Sequence, residues 1–326
     1  MSYELLYPLL RKSGSTLSVE EFHENINIIF HNHEAKFYDV LHADMWESLQ
    51  EQINLLIEDL AKVRTIENKL KLLDIGCGTG LSTQLLFQSN LGNCIQEVVL
   101  LDTSLEMLKQ ASEKAKLWNK KVKYHNGYLS EIKESFDVVI ICSVLHHIPD
   151  LVKFLKDVEN HLNSGGILIH LQDPNGDYLN DKEYLNRRAI YDTTRTKIKS
   201  TKKIADLIPK KWKRTINQYL GRKDYIDLIN DELLNNNVIT RRLTADEIWS
   251  VTDIHVETKT SSLNKGISLK FLQEQLFNFN LIKMRSYGFY GMLKCDLSDE
   301  FKIKEMELIS ESQVNGRNIA AIWIKK

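Results

Sequence analysis

The stretch Leu72-Leu73-Asp74-Ile75-Gly76-Cys77-Gly78-Thr79-Gly80 decides the fold of this chain. An apolar run ends in an acid, three glycines follow with the spacing G-x-G-x-G, and residues 81–86 then read as the start of a helix. Strand, tight turn and helix form the first unit of a doubly wound α/β domain, whose ligand site lies at the carboxyl end of the strand. Glycine permits backbone angles that a Cβ makes costly, and it leaves bare backbone for a ligand to approach.

The spacing of these glycines discriminates between ligands. A dinucleotide fold requires G-x-G-x-x-G, in which the third glycine comes one place later than Gly80. Leu81 occupies that place, and no G-x-x-x-x-G-K-[ST] motif follows. The loop therefore disfavours both a dinucleotide and a phosphate-cradling P-loop.

Further buried strands follow in the order that such a domain requires. Residues 98–102 are an apolar strand that ends in Asp102, residues 122–126 lead into Gly127, and residues 136–142 and 167–171 form two more strands. Near the end of the chain, residues 281–287 and 318–324 are predicted to pair. We therefore expect an α/β fold with a doubly wound, mostly parallel sheet of seven strands and helices on both faces.

These motifs, in this order, resemble the class I S-adenosylmethionine-dependent methyltransferases of the small-molecule type. The resemblance implies S-adenosyl-L-methionine as cofactor and a Rossmann-like sheet. It also implies a set of cofactor-binding residues: Asp74, Gly76, Cys77, Gly78 and Gly80 in the loop, Asp102 at the ribose, Thr103 and Met107 at the start of the next helix, Tyr128 and Leu129 at the adenine, Ser143 and Leu145 on the methyl side, and Tyr38 from an N-terminal helix.

The chain departs from the family pattern at the adenine. The family usually carries an acid after the glycine that follows the third strand, and that acid contacts the adenine amine. This chain has Tyr128 at that position. The backbone of Leu129 and stacking on Tyr128 are then expected to hold the adenine instead.

His146, His147 and Asp173 are the candidate catalytic residues. Methyl transfer from a sulfonium is an in-line displacement, so the protein must align the reactants and, for a hydroxyl or amine acceptor, take up a proton. His146 and His147 follow the fourth strand, and histidine can act as a base near neutral pH. Both could instead pack the loop, and Asp173 could cap the turn that follows it.

We predict no metal site. Some quinone-pathway relatives hold a divalent metal with an acid followed by histidine, but here His146 stands where that acid would be. His31, His33 and His42 lack a cysteine or carboxylate at a recognisable ligand spacing, and we interpret them as solvated helix residues. Asp253, in a later Asp-Ile-His sequence, is interpreted as a surface residue outside the site.

Composition places the chain among globular proteins. Of its 326 residues, 43% are hydrophobic and 27% charged, and no apolar run approaches the ~20 residues that span a bilayer. The beginning of the sequence lacks the basic region of a secretory signal. Four cysteines without paired spacing are expected in a reducing compartment, so we expect a cytoplasmic protein.

The charge is unevenly distributed. Residues 187–223 hold 13 Lys or Arg and two acids, although the whole chain has a net charge of −1. Such a segment can bind nucleic acid or another anionic partner, or contact a membrane surface. It can also simply solvate helix surfaces, which is the interpretation we favour.

Four regions follow from these patterns. Residues 1–68 are expected to form a helical N-terminal cap, 69–174 the cofactor-binding core, 175–265 a helical lid or substrate insertion, and 266–326 the last part of the sheet. The predicted function is methyl transfer to an oxygen or nitrogen of a small molecule. The alternatives are a methyltransferase for tRNA or another macromolecule, docked through residues 187–223, and a non-catalytic protein that binds the cofactor and a partner.

Overall fold

A computed structural model describes residues 2–178, 181–198, 224–256 and 266–326. Its centre is one seven-stranded sheet with the order β3-β2-β1-β4-β5-β7-β6. The strands are β1 Leu70–Ile75, β2 Ile95–Asp102, β3 Lys121–Asn126, β4 Phe136–Cys142, β5 Leu162–Pro174, β6 Phe279–Tyr287 and β7 Asn318–Lys325. The predicted fold class is confirmed.

The inner strands are parallel, and β7 lies antiparallel between β5 and β6. β1 and β4 are apolar along nearly their whole length because helices cover both faces of the sheet at these strands. The strand order reverses direction next to β1, so the carboxyl ends of β1 and β4 form the crevice where such sheets bind ligands.

Helices account for most of the remaining described residues. The first eight are α1 Tyr7–Ser13, α2 Val19–Glu34, α3 Tyr38–Leu41, α4 Met45–Val63, α5 Leu81–Leu86, α6 Asn90–Cys94, α7 Leu105–Ala115 and α8 Leu151–His161. The next five are α9 Lys182–Ile198, α10 Tyr225–Asn235, α11 Ala245–Thr252, α12 Leu269–Gln275 and α13 Asp299–Ser310. Short 3-10 turns lie at Ser2–Leu5, Leu129–Glu131, Leu145–His147 and Lys294–Asp296.

Capping residues mark the starts of three helices. α2 begins with a capping box, in which the Ser18 hydroxyl accepts from the Glu21 amide and the Glu21 carboxylate accepts from the Ser18 amide. Ser268 caps α12, and Ser104 caps α7. Most of the basic segment 187–223 lies outside the described residues.

Three apolar clusters organise the packing. Two lie on the opposite faces of the sheet, and α4 belongs to one of them. The third joins α1 and α2 to α10 and α11, and its centre includes Phe22, Ile26 and Ile229. We call these four helices the cap. It is built from two parts of the sequence that are about two hundred residues apart, and α2 runs across the ligand edge of the sheet.

Among the described residues, the helices are all too short or too polar to cross a bilayer.

Candidate functional site

A cavity of about 470 Å³ lies between α2 and the carboxyl ends of the inner strands. Several predicted residues line it together: Tyr38, Gly76, Gly78, Asp102, Thr103, Met107, Tyr128, Leu129, Ser143 and His147. They come from the ends of β1, β2, β3 and β4 with the turns that follow, from α3 and from the first turn of α7. The topology therefore brings residues that are far apart in sequence to one edge of the sheet.

Asp74 anchors the glycine loop from below. Its side chain is fully buried, and its Oδ2 accepts hydrogen bonds from Ser82 Oγ at 2.7 Å and Thr83 Oγ1 at 2.6 Å. Its Oδ1 has no hydrogen-bond partner among the described residues. Burial raises the pKa of Asp74 to about 7, although the two hydroxyls act in the opposite direction. A cationic group beside Oδ1 would stabilise the carboxylate.

The loop itself requires glycine where it meets the next strand. Gly76 has a φ of 62°, and a Cβ there would lie 2.5 Å from the side chain of Val144. The Gly78 amide donates to Asp102 Oδ2 at 2.8 Å. The backbone of the loop and the acid at the end of β2 are thereby held together.

Asp102 is fixed by two backbone donors. Its Oδ1 accepts from the Ser104 amide at 2.8 Å, in addition to the Gly78 bond on Oδ2. Burial raises its pKa, and the two amides oppose this effect. Both oxygens retain further lone pairs, so the carboxylate can still accept two hydrogen bonds from a vicinal diol.

Four predicted cofactor residues do not line the cavity: Asp74, Cys77, Gly80 and Leu145. Cys77 packs into an apolar cluster, and Gly80 faces Ala111 and Trp118 of the α7 region. Leu145 is fully buried in the apolar cluster on one face of the sheet, so the expectation that it lines the methyl side is corrected. It begins a 3-10 turn whose apolar side points into that cluster.

Tyr128 forms part of the β3 wall of the cavity. Its amide donates to Glu131 Oε1 at 3.0 Å, and its phenol is hydrogen-bonded to Glu24 of α2. Burial, and then the negative charge of Glu24, raise the pKa of Tyr128 to about 12. The phenol is therefore protonated at neutral pH and donates to Glu24.

His146 and Asp173 form a buried structural pair. His146 Nδ1 lies 2.9 Å from Asp173 Oδ1, which also accepts the His146 amide at 3.2 Å. Asp173 is completely buried, and His146 is not among the residues that line the cavity. Burial and the neighbouring His147 lower the pKa of His146. This pair fixes the loop after β4.

His147 faces the cavity, and Asp253 holds it from behind. His147 Nδ1 lies 2.8 Å from the Thr252 carbonyl oxygen and 3.3 Å from Asp253 Oδ1. Two acceptors at Nδ1 place the proton on that nitrogen and leave Nε2 as an acceptor. Burial lowers the pKa of His147, but Asp253 outweighs it and the net shift is upward. Burial raises the pKa of Asp253, but His147 brings it down to about 2.

Sequence reasoning placed Asp253 on the surface and missed this pair. The two residues are 106 positions apart, and Asp253 follows α11 of the cap. His31 was interpreted as a solvated residue, but its ring lies 5.1 Å from that of His147 and lines the cavity. The available signal was the recurrence of His23, Asn27 and His31 at four-residue intervals on one face of α2.

The remaining histidines of the N-terminal region have acidic partners. Glu34 is buried between His31 and His42, which lie 3.5 and 3.1 Å from its oxygens. Burial raises the pKa of Glu34, but the two histidines lower it to about 2. His33 contacts Glu232 of α10 at 2.7 Å. These pairs tie α2 to its neighbours.

His146, His147 and Asp253 offer ligand atoms within 4.8 Å of one another, a spacing at which side chains could hold a metal ion. Nδ1 of each histidine is already engaged, by Asp173 or by the Thr252 carbonyl. The absence of a resident metal stays a prediction.

The comparisons with known proteins identify methyltransferases. Residues 73–168 match the family model described as a methyltransferase domain. A ubiquinone biosynthesis O-methyltransferase from Rickettsia canadensis is 28% identical over 121 residues, which cover 36% of this chain and 49% of that protein. A trans-aconitate 2-methyltransferase from Deinococcus radiodurans is 34% identical over 99 residues, 30% of this chain and 36% of that protein.

Among solved structures, an S-adenosylmethionine-dependent methyltransferase from Clostridium acetobutylicum aligns with 89% of this chain and 96% of its own. The TM-score is 0.43 and the sequence identity is 15%. The chain spans about half the length, or less, of the two curated relatives named above.

Proposed function

We propose that this chain, which carries a class I S-adenosylmethionine-dependent methyltransferase domain, methylates an oxygen or nitrogen atom of a small molecule with His147 as the base. The observation that supports this proposal is the pairing of His147 with Asp253 at the wall of the cavity. The match over residues 73–168 confirms the predicted family and its cofactor, S-adenosyl-L-methionine.

The described residues fit this cofactor. Asp102 lines the cavity and would accept from the cofactor's ribose hydroxyls, while Asp74 supports the glycine loop from below. Gly76 leaves the backbone bare where a Cβ would strike Val144. When bound, the cofactor supplies a methyl group on a positively charged sulfur, which is already a good leaving group.

The work of the protein is to align the acceptor and to hold its proton. His147 Nε2 is a free acceptor at the cavity, so it can take a proton from an acceptor hydroxyl or amine. Asp253 and the Thr252 carbonyl keep the imidazole in the required tautomer, and the carboxylate stabilises the imidazolium that forms. α2 covers the cavity and limits the access of water.

Two features support a small acceptor. The cavity is roofed by α2, and the two curated relatives are named for ubiquinone biosynthesis and trans-aconitate. A macromolecular substrate would instead depend on the basic segment 187–223, and its binding should weaken steeply with salt. A non-catalytic role is one outcome of the labelled-cofactor test.

The test uses methyl-labelled cofactor and a panel of phenols, carboxylic acids and amines, with the labelled product counted after extraction. For an acceptor that reacts, His147→Ala should lower turnover by about 10²–10⁴-fold, while S-adenosylhomocysteine binding is retained. His33→Ala, which removes an α2 histidine that does not line the cavity, is the matched control. Undiminished turnover in His147→Ala would refute the base, and cofactor binding without any product across the panel would favour the non-catalytic alternative.

A further inference from the structure

One face of α2 presents hydrogen-bond acceptors to the cavity. His23, Glu24 and Asn27 all line it, within little more than one helical turn. His23 Nε2 and Asn27 Oδ1 are buried and have no hydrogen-bond partner among the described residues. Buried polar atoms are usually paired, so unpaired acceptors on a cavity wall indicate a ligand that donates.

In its neutral form, His23 can accept a hydrogen bond at Nε2. Its imidazole is hydrogen-bonded to the backbone of His147, and burial lowers its pKa to about 4. The ring is therefore neutral at pH 7. Because His23 contacts the His147 backbone, this turn of α2 is held against the loop after β4.

The loop after β3 forms the opposite wall of the cavity. Among the described residues of that loop, every carboxylate oxygen is already engaged. Tyr128 replaces the expected acid, and the nearby Glu131 is turned toward the backbone of its own turn. Glu131 Oε1 accepts from the Tyr128 amide, and Oε2 lies 3.2 Å from His125 Nε2. Glu24 reaches this wall from α2 and accepts from the Tyr128 phenol.

The residues at the ends of β1 and β2 fix the direction of the cofactor. Gly76 and Gly78, after β1, line the cavity with bare backbone and suit the amino-acid part of the cofactor. Asp102, at the end of β2, suits the ribose. Strand β3 lies on the other side of β2 from β1, so the base attached to the ribose extends toward Tyr128 and α2.

We propose that the cap helix α2 recognises the adenine in this protein, with Glu24 as the acceptor for its exocyclic amine and Asn27 Oδ1 beside it. Tyr128 then orients Glu24 by donating its phenol proton to one carboxylate oxygen and leaves the other oxygen for the amine. In this protein the cap would recognise the base, whereas the family usually recognises it with an acid after the third strand. The inference depends on the cofactor and not on the methyl acceptor.

A hypoxanthine base provides the discriminating probe. S-Inosylhomocysteine carries a carbonyl oxygen in place of the adenine amine. That oxygen would face the acceptor oxygens of Glu24 and Asn27 and could not donate a hydrogen bond to them. A site built around a hydrogen-bond donor rejects an analogue that lacks it because the buried protein groups are left unpaired. The wild-type protein should therefore bind S-adenosylhomocysteine at least about tenfold more tightly than S-inosylhomocysteine.

The experiment is calorimetric titration of both ligands, without any methyl acceptor, into wild type, Glu24→Ala and Glu20→Ala. Glu20 lies one turn earlier on α2 and does not line the cavity, which makes it the matched control. Glu24→Ala should lose most of the preference for adenine, whereas Glu20→Ala should keep it. Glu24→Gln, which retains one acceptor oxygen, should recover part of it.

Equal binding of the two ligands to wild type, or an unchanged preference in Glu24→Ala, would overturn the inference. A melting temperature for each variant shows whether it is folded, and Glu24→Gln is the readout should Glu24→Ala fail to fold. Because the assay contains no acceptor, its failure leaves the proposed methyl transfer intact. Conversely, loss of the proposed base leaves this test unaffected.

Discussion

Asp253 controls the proton affinity of His147 and the direction in which the ring faces. In wild type, burial lowers the pKa of His147, but the carboxylate raises it above the ordinary value. The base form therefore prevails only above that raised pKa, and turnover should fall as the pH drops through it.

Asp253→Asn removes the negative charge, so the pKa of His147 should fall and the acidic limb of the pH–rate profile should move to lower pH. Maximal turnover should also fall by about 10²-fold or more, because the amide can hold the wrong tautomer. The measurement is kcat against pH, with S-adenosylhomocysteine affinity as the control for folding. An acidic limb that stays in place would show that His147 is not the group that titrates.

The sequence predicts site residues best where their neighbours in the structure are also their neighbours in the sequence. The acid and glycines after β1 lie within nine positions, and backbone geometry dictates their types. Asp253 was missed because its partner is 106 positions away and nothing near it marks a site. His31 and Glu24 were missed for a similar reason, since only the packing of α2 over the sheet brings them to the cavity.

The single-turn helix α3 is hydrogen-bonded to the glycine loop. Asp39 Oδ1 accepts from Thr79 Oγ1 at 2.6 Å, and Asp39 Oδ2 lies 2.6 Å from Lys114 Nζ of α7. Lys114 Nζ also contacts Thr79 Oγ1 at 2.8 Å. These three side chains hold Tyr38, the first residue of α3, at the cavity.

Thr79→Val keeps the shape of the side chain but removes the hydroxyl that α3 depends on. We expect S-adenosylhomocysteine to dissociate several-fold faster, because loss of the two charge-assisted hydrogen bonds of the Thr79 hydroxyl favours an open α3. Stopped-flow displacement measures the rate, and Thr79→Ser is the matched control that restores it. Identical dissociation rates in Val and Ser variants would show that α3 does not gate the cavity.

Element boundaries were predictable where capping or strand composition is explicit. Ser18 and Glu21 mark the start of α2 because each satisfies a backbone donor of that turn. The partner of α2 was not predictable, since its apolar stripe would suit any helix face. Only the structure shows that Phe22 packs against residues such as Ile229 of α10, rather than onto the sheet.

Across the part of the molecule that the structure describes, two apolar cores lie on the faces of the sheet and a separate core lies in the cap. Phe22 is fully buried in the cap core, and Phe→Ala at such a site costs about 3–5 kcal/mol. In Phe22→Ala the amides of α2 and α10 should lose hydrogen-exchange protection while those of β1 and β4 retain theirs. S-Adenosylhomocysteine should bind more weakly, because α2 roofs the cavity.

The matched control is Phe277→Ala, whose side chain is 64% exposed. It should change neither protection nor affinity. If the sheet and the cap lose protection together in Phe22→Ala, the molecule unfolds as one cooperative unit and the cap is not separately labile.

The joint cap also has a consequence for the synthesis of the chain. Phe22 and its neighbours leave the ribosome about 200 residues before Ile226, the first buried residue of α10. At the usual elongation rates of about 5–20 residues per second, the apolar face of α2 waits on the order of 10–40 s for its partner. During that interval the apolar face of the nascent α2 is exposed to chaperones and to neighbouring chains. Slowing translation between β5 and α10 should therefore lower the yield of native protein more than slowing it after α11.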